Sequence, residues 1–209
     1  MTPPVSKRGN VRRPAALFNG VSRCDFSWRS IYDTNDAVVS EGGMLGYLAG
    51  SIEFSNDLGK EWRKALRFFL EGTLGHQVYD PAEDEKKNLS DEESANFRGW
   101  KANDFERFRN AVRKIINFDL DLIERQVDYV ICFWSKQSAM GGGTAAELTL
   151  AYRKGIPVYL VTEVPFQEMS GWVLSCAEQV FCDFDSLRSF LISRAEVTGS
   201  VERAAGSCL

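Results

Sequence analysis

The sequence predicts a single α/β domain with a doubly wound, mainly parallel sheet of the flavodoxin-like or Rossmann-like kind. Strand-like and helix-like segments alternate between residues 45 and 194, which is typical of this class. Residues 127–134 (VDYVICFW) are almost entirely apolar, as expected of a parallel strand covered on both faces. A glycine-rich turn at residues 141–143 follows this strand and leads towards a helix. In such sheets, ligands bind beyond the carboxyl ends of the strands.

The first half of the domain is predicted to contain two strands and two helices. The elements in order are a strand at 45–49, a helix at 59–71, a strand at 76–79, a loop insertion at 82–104 and a helix at 104–126. The helix at 59–71 is indicated by apolar residues that recur at helical spacing. Pro81 ends the second strand. The loop is inferred because residues 82–104 are polar and rich in acidic side chains.

The second half repeats the alternation up to residue 194. The elements are the central strand at 127–134, a helix at 144–154, a strand at 158–162, a helix at 169–178, a strand at 179–182 and a helix at 184–194. Gly155 and Pro157 end the helix that follows the glycine turn. Residues 1–44 show no periodicity and are predicted to form an irregular arm. Residues 195–209 are rich in glycine, serine and alanine and are predicted to be a disordered tail.

The composition is that of an ordinary globular domain. The chain has 209 residues, of which 44% are hydrophobic and 26% are charged, so a disordered, collagen-like or coiled-coil protein is excluded. The net charge of -4 argues against nucleic acid as the main partner, because duplex-binding domains usually carry a basic excess. No apolar run approaches the roughly 20 residues that span a membrane, and the N-terminus lacks the apolar stretch of a signal peptide. We expect a cytoplasmic protein without a membrane partner.

Cysteine and histidine usage points away from metal chemistry. The five cysteines are odd in number and contain no CxxC pair, which favours free thiols in a reducing compartment. The one histidine, His76, opens a strand and is interpreted as structural. Asp128 is expected at the amino end of the central strand, away from any ligand. No GxGxxG follows the first strand, so a dinucleotide is not indicated, and we predict neither a cofactor nor a metal.

The strongest local signal is the segment from Gly141 to Glu147 (GGGTAAE). Three glycines let the backbone pass close to a ligand, and the start of a helix offers N–H groups that favour an anion. Glu147 is expected in the first helical turn, facing the same edge of the sheet. Thr144 and Glu147 also have the spacing of a capping box, in which the glutamate only bonds the backbone of the threonine. The spacing leaves a cap and a catalytic carboxylate both open.

Weaker candidates follow the first two strands and precede the central one. Gly50 and Ser51 come after the first strand, where a plain turn is the alternative. Asp80 ends the second strand, where it could equally start a turn. Asp119 and Asp121 lie in the helix before the central strand. One of them could lean towards Glu147, although a solvated helix face explains both as well.

In order and spacing, four segments resemble the nucleoside 2-deoxyribosyltransferase family over residues 45 to 162, and more loosely to 191. They are the first strand with its small-residue turn (YLAGS, 47–51), the end of the second strand (VYDP, 78–81), the acidic helix and central strand (119–131), and the segment GTAAEL (143–148) with the following GIPV (155–158). The resemblance implies an enzyme that cleaves the N-glycosidic bond of a 2-deoxynucleoside and passes the sugar to another base or to water. It implies a homo-oligomer as well, because subunits of this family commonly share residues.

The resemblance also assigns roles to individual residues. Glu147 would be the nucleophile that attacks the anomeric carbon and holds the sugar as a covalent intermediate, as carboxylates do in retaining glycosidases. Asp119 would help to protonate the leaving base, with Asp121 as the alternative, and Tyr47 would orient the nucleophile. The residues expected to contact the substrate are Gly50, Ser51, Asp80, Asp121, Gly142, Gly143 and Thr144.

The substrate is expected to be a nucleoside and a free nucleobase, with a nucleotide as the alternative. Relatives that hydrolyse deoxynucleoside 5′-monophosphates carry basic residues after the first strand, whereas this chain has Glu53 and Asp57 there, which disfavours a phosphate. Two rival functions remain. The GGGTxxE pattern also resembles phosphoribohydrolases of cytokinin nucleotides, but their PGGxGT pattern is missing and no arginine lies between Trp134 and Glu147. The second rival is a nucleoside- or nucleotide-binding module without catalysis.

Overall fold

The computed structural model describes residues 43–84 and 88–206, with side chains as far as residue 197. Within them, five strands form one sheet whose neighbours are all parallel, in the order β2-β1-β3-β4-β5. The strands are β1 (Leu45–Gly50), β2 (Gln77–Tyr79), β3 (Tyr129–Trp134), β4 (Val158–Thr162) and β5 (Gln179–Phe181). This is the strand order of flavodoxin-like sheets, so the predicted doubly wound α/β fold is confirmed.

The described residues also form six α-helices. They are α1 (Lys60–Leu74), α2 (Asp91–Asn103), α3 (Phe105–Arg125), α4 (Gly143–Lys154), α5 (Gly171–Cys176) and α6 (Phe184–Gly206). All but α2 pack against the two faces of the sheet. Helices α1 and α6 bury Leu66 and Leu187 in the core on one face. Helices α3, α4 and α5 bury Ile123, Leu148 and Val173 on the other. The central strand β3 is buried along almost its whole length, because its side chains alternate between these two cores.

The strand order places the point where the connections diverge at β1 and β3. These strands are neighbours, and Gly50 at the end of β1 pairs with Phe133 near the end of β3. From β1 the chain passes through α1 to β2, while from β2 it returns through α3, on the opposite face, to β3. In open parallel sheets, the crevice at such a point is where ligands bind. The loops after β1, β2 and β3 therefore border the candidate site.

The predicted loop insertion at residues 82–104 is wrong for most of its length, because α2 occupies Asp91–Asn103. Its start is fixed by a capping box, in which Ser90 Oγ accepts from the N–H of Glu93 and the Glu93 side chain accepts from the N–H of Ser90. Helix α2 buries no residue. Ion pairs of Glu92 with Arg107 (2.5 Å) and of Glu93 with Lys114 (2.7 Å) connect it to α3. A helix without an apolar stripe lacks the periodic signal that identifies helices in a sequence.

The ends of the described chain differ from prediction in two ways. Helix α6 continues beyond its predicted end at Arg194 to Gly206, so the predicted disordered tail (195–209) is wrong for residues 195–206. Six of these twelve residues are alanine, glutamate or arginine, which have high helix propensity. Residues 207–209 and nearly all of the predicted arm (1–44) lie outside the described residues. Strand β1 starts at Leu45, where the domain was predicted to begin.

The cysteines differ in state. Cys132 and Cys176 are buried free thiols, as predicted. Cys182 is disulfide-bonded, so the prediction of free thiols is wrong there; the pairing of cysteines cannot be deduced from their spacing.

None of the helices in residues 43–84 and 88–206 has both the length and the apolar character that a membrane span requires. The same part of the chain contains no group of three or more histidine, cysteine or acidic side chains that could hold a metal ion.

Candidate active site

A hydrogen bond between Tyr47 and Glu147 lies at the centre of the candidate site. Tyr47 is fully buried on β1, and its hydroxyl donates to Glu147 Oε1 at 2.8 Å. Burial, followed by the negative charges of Glu147 and Asp119, raises the pKa of Tyr47 well above its usual value. The phenol therefore keeps its proton at any ordinary pH and remains a donor. This contact fixes the orientation of the carboxylate of Glu147, a half-buried residue of α4.

Glu147 does not cap its helix. Helix α4 begins at Gly143, and the N-cap residue is Gly142, without a side-chain cap. Glu147 is therefore in the second turn rather than the first, and the predicted capping-box alternative with Thr144 is wrong. Thr144 is buried close to the start of the helix. The helix begins one residue earlier than predicted, at Gly143.

Asp119 belongs to the same cluster as Tyr47 and Glu147. It is 7% exposed and lies on the core-facing side of α3 together with Ala111 and Ile123. Its charge contributes to the raised pKa of Tyr47. Burial first, and then the charge of Asp119, also raises the pKa of Tyr79, which hydrogen-bonds to Asp119. The cluster thus places two carboxylates around two phenols.

Tyr79 is a site residue that the sequence interpretation did not single out. Its ring stacks on that of Tyr47, with the ring centroids 5.5 Å apart and the planes inclined by 27°. Its hydroxyl also donates to Asp84 Oδ2 at 3.1 Å. Its position at the end of β2, in register with Tyr47 on β1, is the feature that could have identified it as a site residue. Tyr79 connects the β2 edge of the site with α3.

The structure does not bring Asp121 to this cluster. Its side chain is 62% exposed, and it lies 3.6 Å from Arg125 Nη2 on the same helix. Because α3 turns through about 100° per residue, a position two residues from Asp119 points away from the sheet. Of the two aspartates left open by the sequence, only Asp119 faces Tyr47 and Tyr79.

Asp80 is buried under the end of β2 and bound by the protein itself. Its side chain is 3% exposed, and Oδ1 accepts from the N–H of Ala82 at 2.8 Å. The same oxygen lies 3.4 Å from Nε of Arg63, which is fully buried. The sequence interpretation missed Arg63. Arg63 lies three residues before Leu66 and seven before Leu70, and both leucines are in the core. This helical spacing could have placed Arg63 on the buried side of α1.

Gly50 and Ser51 follow β1 as predicted, with a different local role. A Cβ atom at Gly50 would lie 3.0 Å from Trp62, 3.1 Å from the carbonyl oxygen of Phe133 and 3.3 Å from Arg63, so the protein itself approaches closely at this position. Ser51 Oγ is buried and has no hydrogen-bond partner within the described residues. A role of either residue in substrate binding stays a prediction.

The glycine turn is open towards the carboxyl edge of the sheet. Gly142 and Gly143 are exposed, and a Cβ atom at either would meet nothing within 4 Å. Gly141 and Ala145 border a cavity of about 630 Å³ on the α5 side of the helix, which is also lined by Trp134, Lys136, Glu168 and Trp172. Neither backbone conformation nor protein packing therefore requires glycine at positions 142 and 143. Their predicted approach to a ligand stays a prediction.

The opposite, amino edge of the sheet holds the residues that were interpreted as structural. Asp128 Oδ2 accepts from the N–H of Leu45 at 2.6 Å, which places it at the start of β1. His76 Nδ1 lies 2.8 Å from the hydroxyl of Tyr129, and burial lowers the pKa of this histidine. Both residues therefore lie at the amino ends of the strands, whereas Glu147 belongs to the helix that follows the carboxyl end of β3.

The arrangement is suited to nucleophilic or acid–base chemistry. A half-buried carboxylate held by one phenol can attack an electrophilic carbon or accept a proton. A second, buried carboxyl group beside the same phenols can transfer a proton. Two such groups flanking one reaction centre are the minimum set for displacement at an anomeric carbon.

Comparisons with known proteins give little beyond the fold. No family model matches the chain, and no curated protein matches it in sequence. Among solved structures, the chain is similar to a 2-deoxyribosyltransferase from the psychrotolerant bacterium Bacillus psychrosaccharolyticus, a biocatalyst for the synthesis of antiviral and antitumoral nucleosides. The two chains are 19% identical, the match covers 69% of this chain and 90% of that one, and the TM-score is 0.47. This is a distant similarity at the level of the fold.

Proposed function

We propose that this protein cleaves the N-glycosidic bond of a (2-deoxy)nucleoside through a covalent glycosyl–Glu147 intermediate and transfers the sugar to another base or to water. One observation carries the proposal: Tyr47 donates to Glu147 Oε1 at 2.8 Å at the carboxyl edge of the sheet, beside the buried Asp119. The order and spacing of the motifs that resemble nucleoside 2-deoxyribosyltransferases support it independently.

The proposed reaction has two displacements. In the first, a Glu147 oxygen bonds to the anomeric carbon, the C–N bond breaks, and its electron pair leaves with the base while Asp119, in its carboxylic acid form, supplies the proton to that base. In the second, an acceptor base or water attacks the same carbon and gives its proton to Asp119. The bond from the sugar to Glu147 then breaks and restores the carboxylate. Two inversions give net retention at the anomeric carbon.

The charges around the site favour a nucleoside over a nucleotide. Residues 51–59, which follow β1, contain no lysine or arginine. Asp57 accepts hydrogen bonds from the N–H of Glu61, from Ser55 Oγ and from the N–H of Gly59, which lower its pKa to about 2 and keep it ionised. Glu53 pairs with Lys101 at 2.5 Å. A phosphate dianion entering along this loop would meet negative charge first.

The test is incubation of the purified protein with a panel of nucleosides and 5′-monophosphates, with and without a free acceptor base, followed by chromatography of the products. We expect release of free base from deoxynucleosides and formation of a new nucleoside when an acceptor is present. Turnover of monophosphates alone would favour the phosphoribohydrolase alternative. Saturable binding without turnover would favour the non-catalytic binding module. Chelator in every reaction checks the expected absence of a metal requirement.

We further propose that the protein acts as a homo-oligomer. On α3, the side chains of Phe105 and Ile116 are 61% and 47% exposed, and the adjoining α2 buries no residue. Exposed apolar side chains of this size on a helical hairpin are suited to contact with a second subunit. Light scattering at several protein concentrations should give a multiple of the 23.5 kDa chain mass, and a monomer at every concentration would contradict the proposal.

Replacing Tyr47 with phenylalanine should reduce kcat roughly ten- to a hundredfold, because one hydrogen bond to the charged Glu147 is lost. The ring still fills its buried position and stacks on Tyr79, so KM and the melting temperature should change little. Steady-state kinetics and thermal unfolding of the same preparation separate the two effects. Unchanged kcat would show that Tyr47 does not orient the nucleophile.

A further inference from the structure

Arg63 is a fully buried arginine whose N–H groups donate hydrogen bonds to backbone carbonyls at the edge of the site. Its Nε donates to Leu48 O at 3.3 Å, and Nη2 donates to Gly50 O at 2.9 Å. Its Nη1 donates to the carbonyls of Leu58 and Gly59, both at 3.1 Å. The side chain thus binds the carboxyl end of β1 and the far end of the loop that follows it.

The same guanidinium also reaches the second strand through Asp80. Asp80 Oδ1 lies 3.4 Å from Arg63 Nε, and both side chains are almost completely buried. Burial raises the pKa of Asp80, and the positive charge of Arg63 is one of the influences that oppose this rise. One side chain of α1 therefore connects β1, the loop at residues 51–59 and β2, all on the edge that carries Tyr47.

We propose that Arg63 is a positioning residue of the active site, which holds Asp80, the end of β1 and the loop at residues 51–59 in one arrangement around Tyr47 and Glu147. Its link to catalysis rests on the proposed function. Arg63 also contributes to stability, because without it Asp80 would be a buried carboxyl group that has lost its nearest cationic partner. The planar guanidinium, with five N–H donors, can hold several acceptors at once, which the single ammonium of lysine cannot.

A substitution at Gly59 can disturb this arrangement while Arg63 itself is kept. Its backbone is left-handed, with φ of +70°, and a Cβ atom there would lie 2.1 Å from Arg63 Nη1 and 2.9 Å from Ser51 O. Gly155 has almost the same backbone conformation, with φ of +71°, and a Cβ atom there would meet nothing within 4 Å. Alanine at either position pays a similar backbone cost, but only at Gly59 does it displace the guanidinium.

The first test uses amide hydrogen exchange and needs no substrate. In the Gly59→Ala variant, the N–H of Ala82, which donates to Asp80 Oδ1, should exchange at least about tenfold faster than in the wild type. Ala82 follows β2, and its contact with Asp80, which in turn contacts Arg63, is the route by which we expect the change at Gly59 to reach it. Gly155→Ala should leave this exchange rate unchanged. Equal rates at Ala82 in both variants would overturn the proposal, whether or not the wild type has the proposed activity.

The second test uses kinetics on a nucleoside that the wild type turns over. Arg63→Lys and Gly59→Ala should each raise KM or lower kcat by about tenfold or more per folded molecule, whereas Gly155→Ala should keep both parameters. A purely structural role would lower the melting temperature and leave both parameters unchanged, which would overturn the proposal. An inactive wild type would refute the proposed function alone, since the exchange result still decides the role of Arg63.

Discussion

Replacing Glu147 with glutamine should lower turnover by roughly three orders of magnitude or more and leave folding almost untouched. An amide cannot form the glycosyl ester, so the double displacement loses its first step. The glutamine side chain still offers an oxygen that can accept from Tyr47, and Glu147 does not cap α4. The free energy of unfolding should therefore change by about 1 kcal/mol or less. Single-turnover kinetics and chemical denaturation of the same samples measure both quantities.

Two further measurements make this result specific to Glu147. Glu106→Gln is the matched control, since Glu106 is 66% exposed and only pairs with Arg109 on the surface of α3. It should keep the wild-type rate. Incubation with a 2-fluoro nucleoside analogue should trap the intermediate, and mass spectrometry should locate the adduct on Glu147. An active Glu147→Gln protein, or an adduct on another residue, would refute the assignment.

The fold could be predicted because its signals are local and repeated. The apolar β3, the helix ends at Gly155 and Pro157, and the alternation of elements follow directly from burial and turn chemistry. Helix α2 could not be predicted from periodicity, because all its side chains remain outside the core. A capping box and ion pairs to α3 define it instead. Helix α6 was predicted too short, because the glycine, serine and alanine residues after Arg194 were interpreted as a disordered tail.

The part of the site that could be predicted consists of residues in or next to the predicted strands. Glu147 and Tyr47 were selected from a motif, and the structure brings them into contact. The choice between Asp119 and Asp121 needed the exact phase of α3, which the acidic run alone does not fix. Arg63 was missed because its helix has the pattern of an ordinary amphipathic helix. Tyr79 was missed because an aromatic residue in a strand is usually part of the core. Their roles arise from contacts between elements that are distant in the chain.

Replacing Asp119 with asparagine should lower kcat/KM by about 10²- to 10⁴-fold, the usual contribution of a positioned general acid–base group. Asparagine has nearly the same shape and can still hydrogen-bond to Tyr79, so the cluster should remain assembled. Asp121→Asn is the matched comparison on the same helix. Because the Asp121 side chain is 62% exposed and lies beside Arg125, its replacement should keep kcat/KM within about twofold.

The loss in the Asp119→Asn variant should depend on the leaving group. A nucleoside whose base departs readily as an anion needs little help from an acid, so its kcat/KM should fall much less than that of an ordinary nucleoside. Equal losses for good and poor leaving groups would show that Asp119 supports the site without transferring the proton. A large loss in Asp121→Asn alone would assign the acid to the other aspartate.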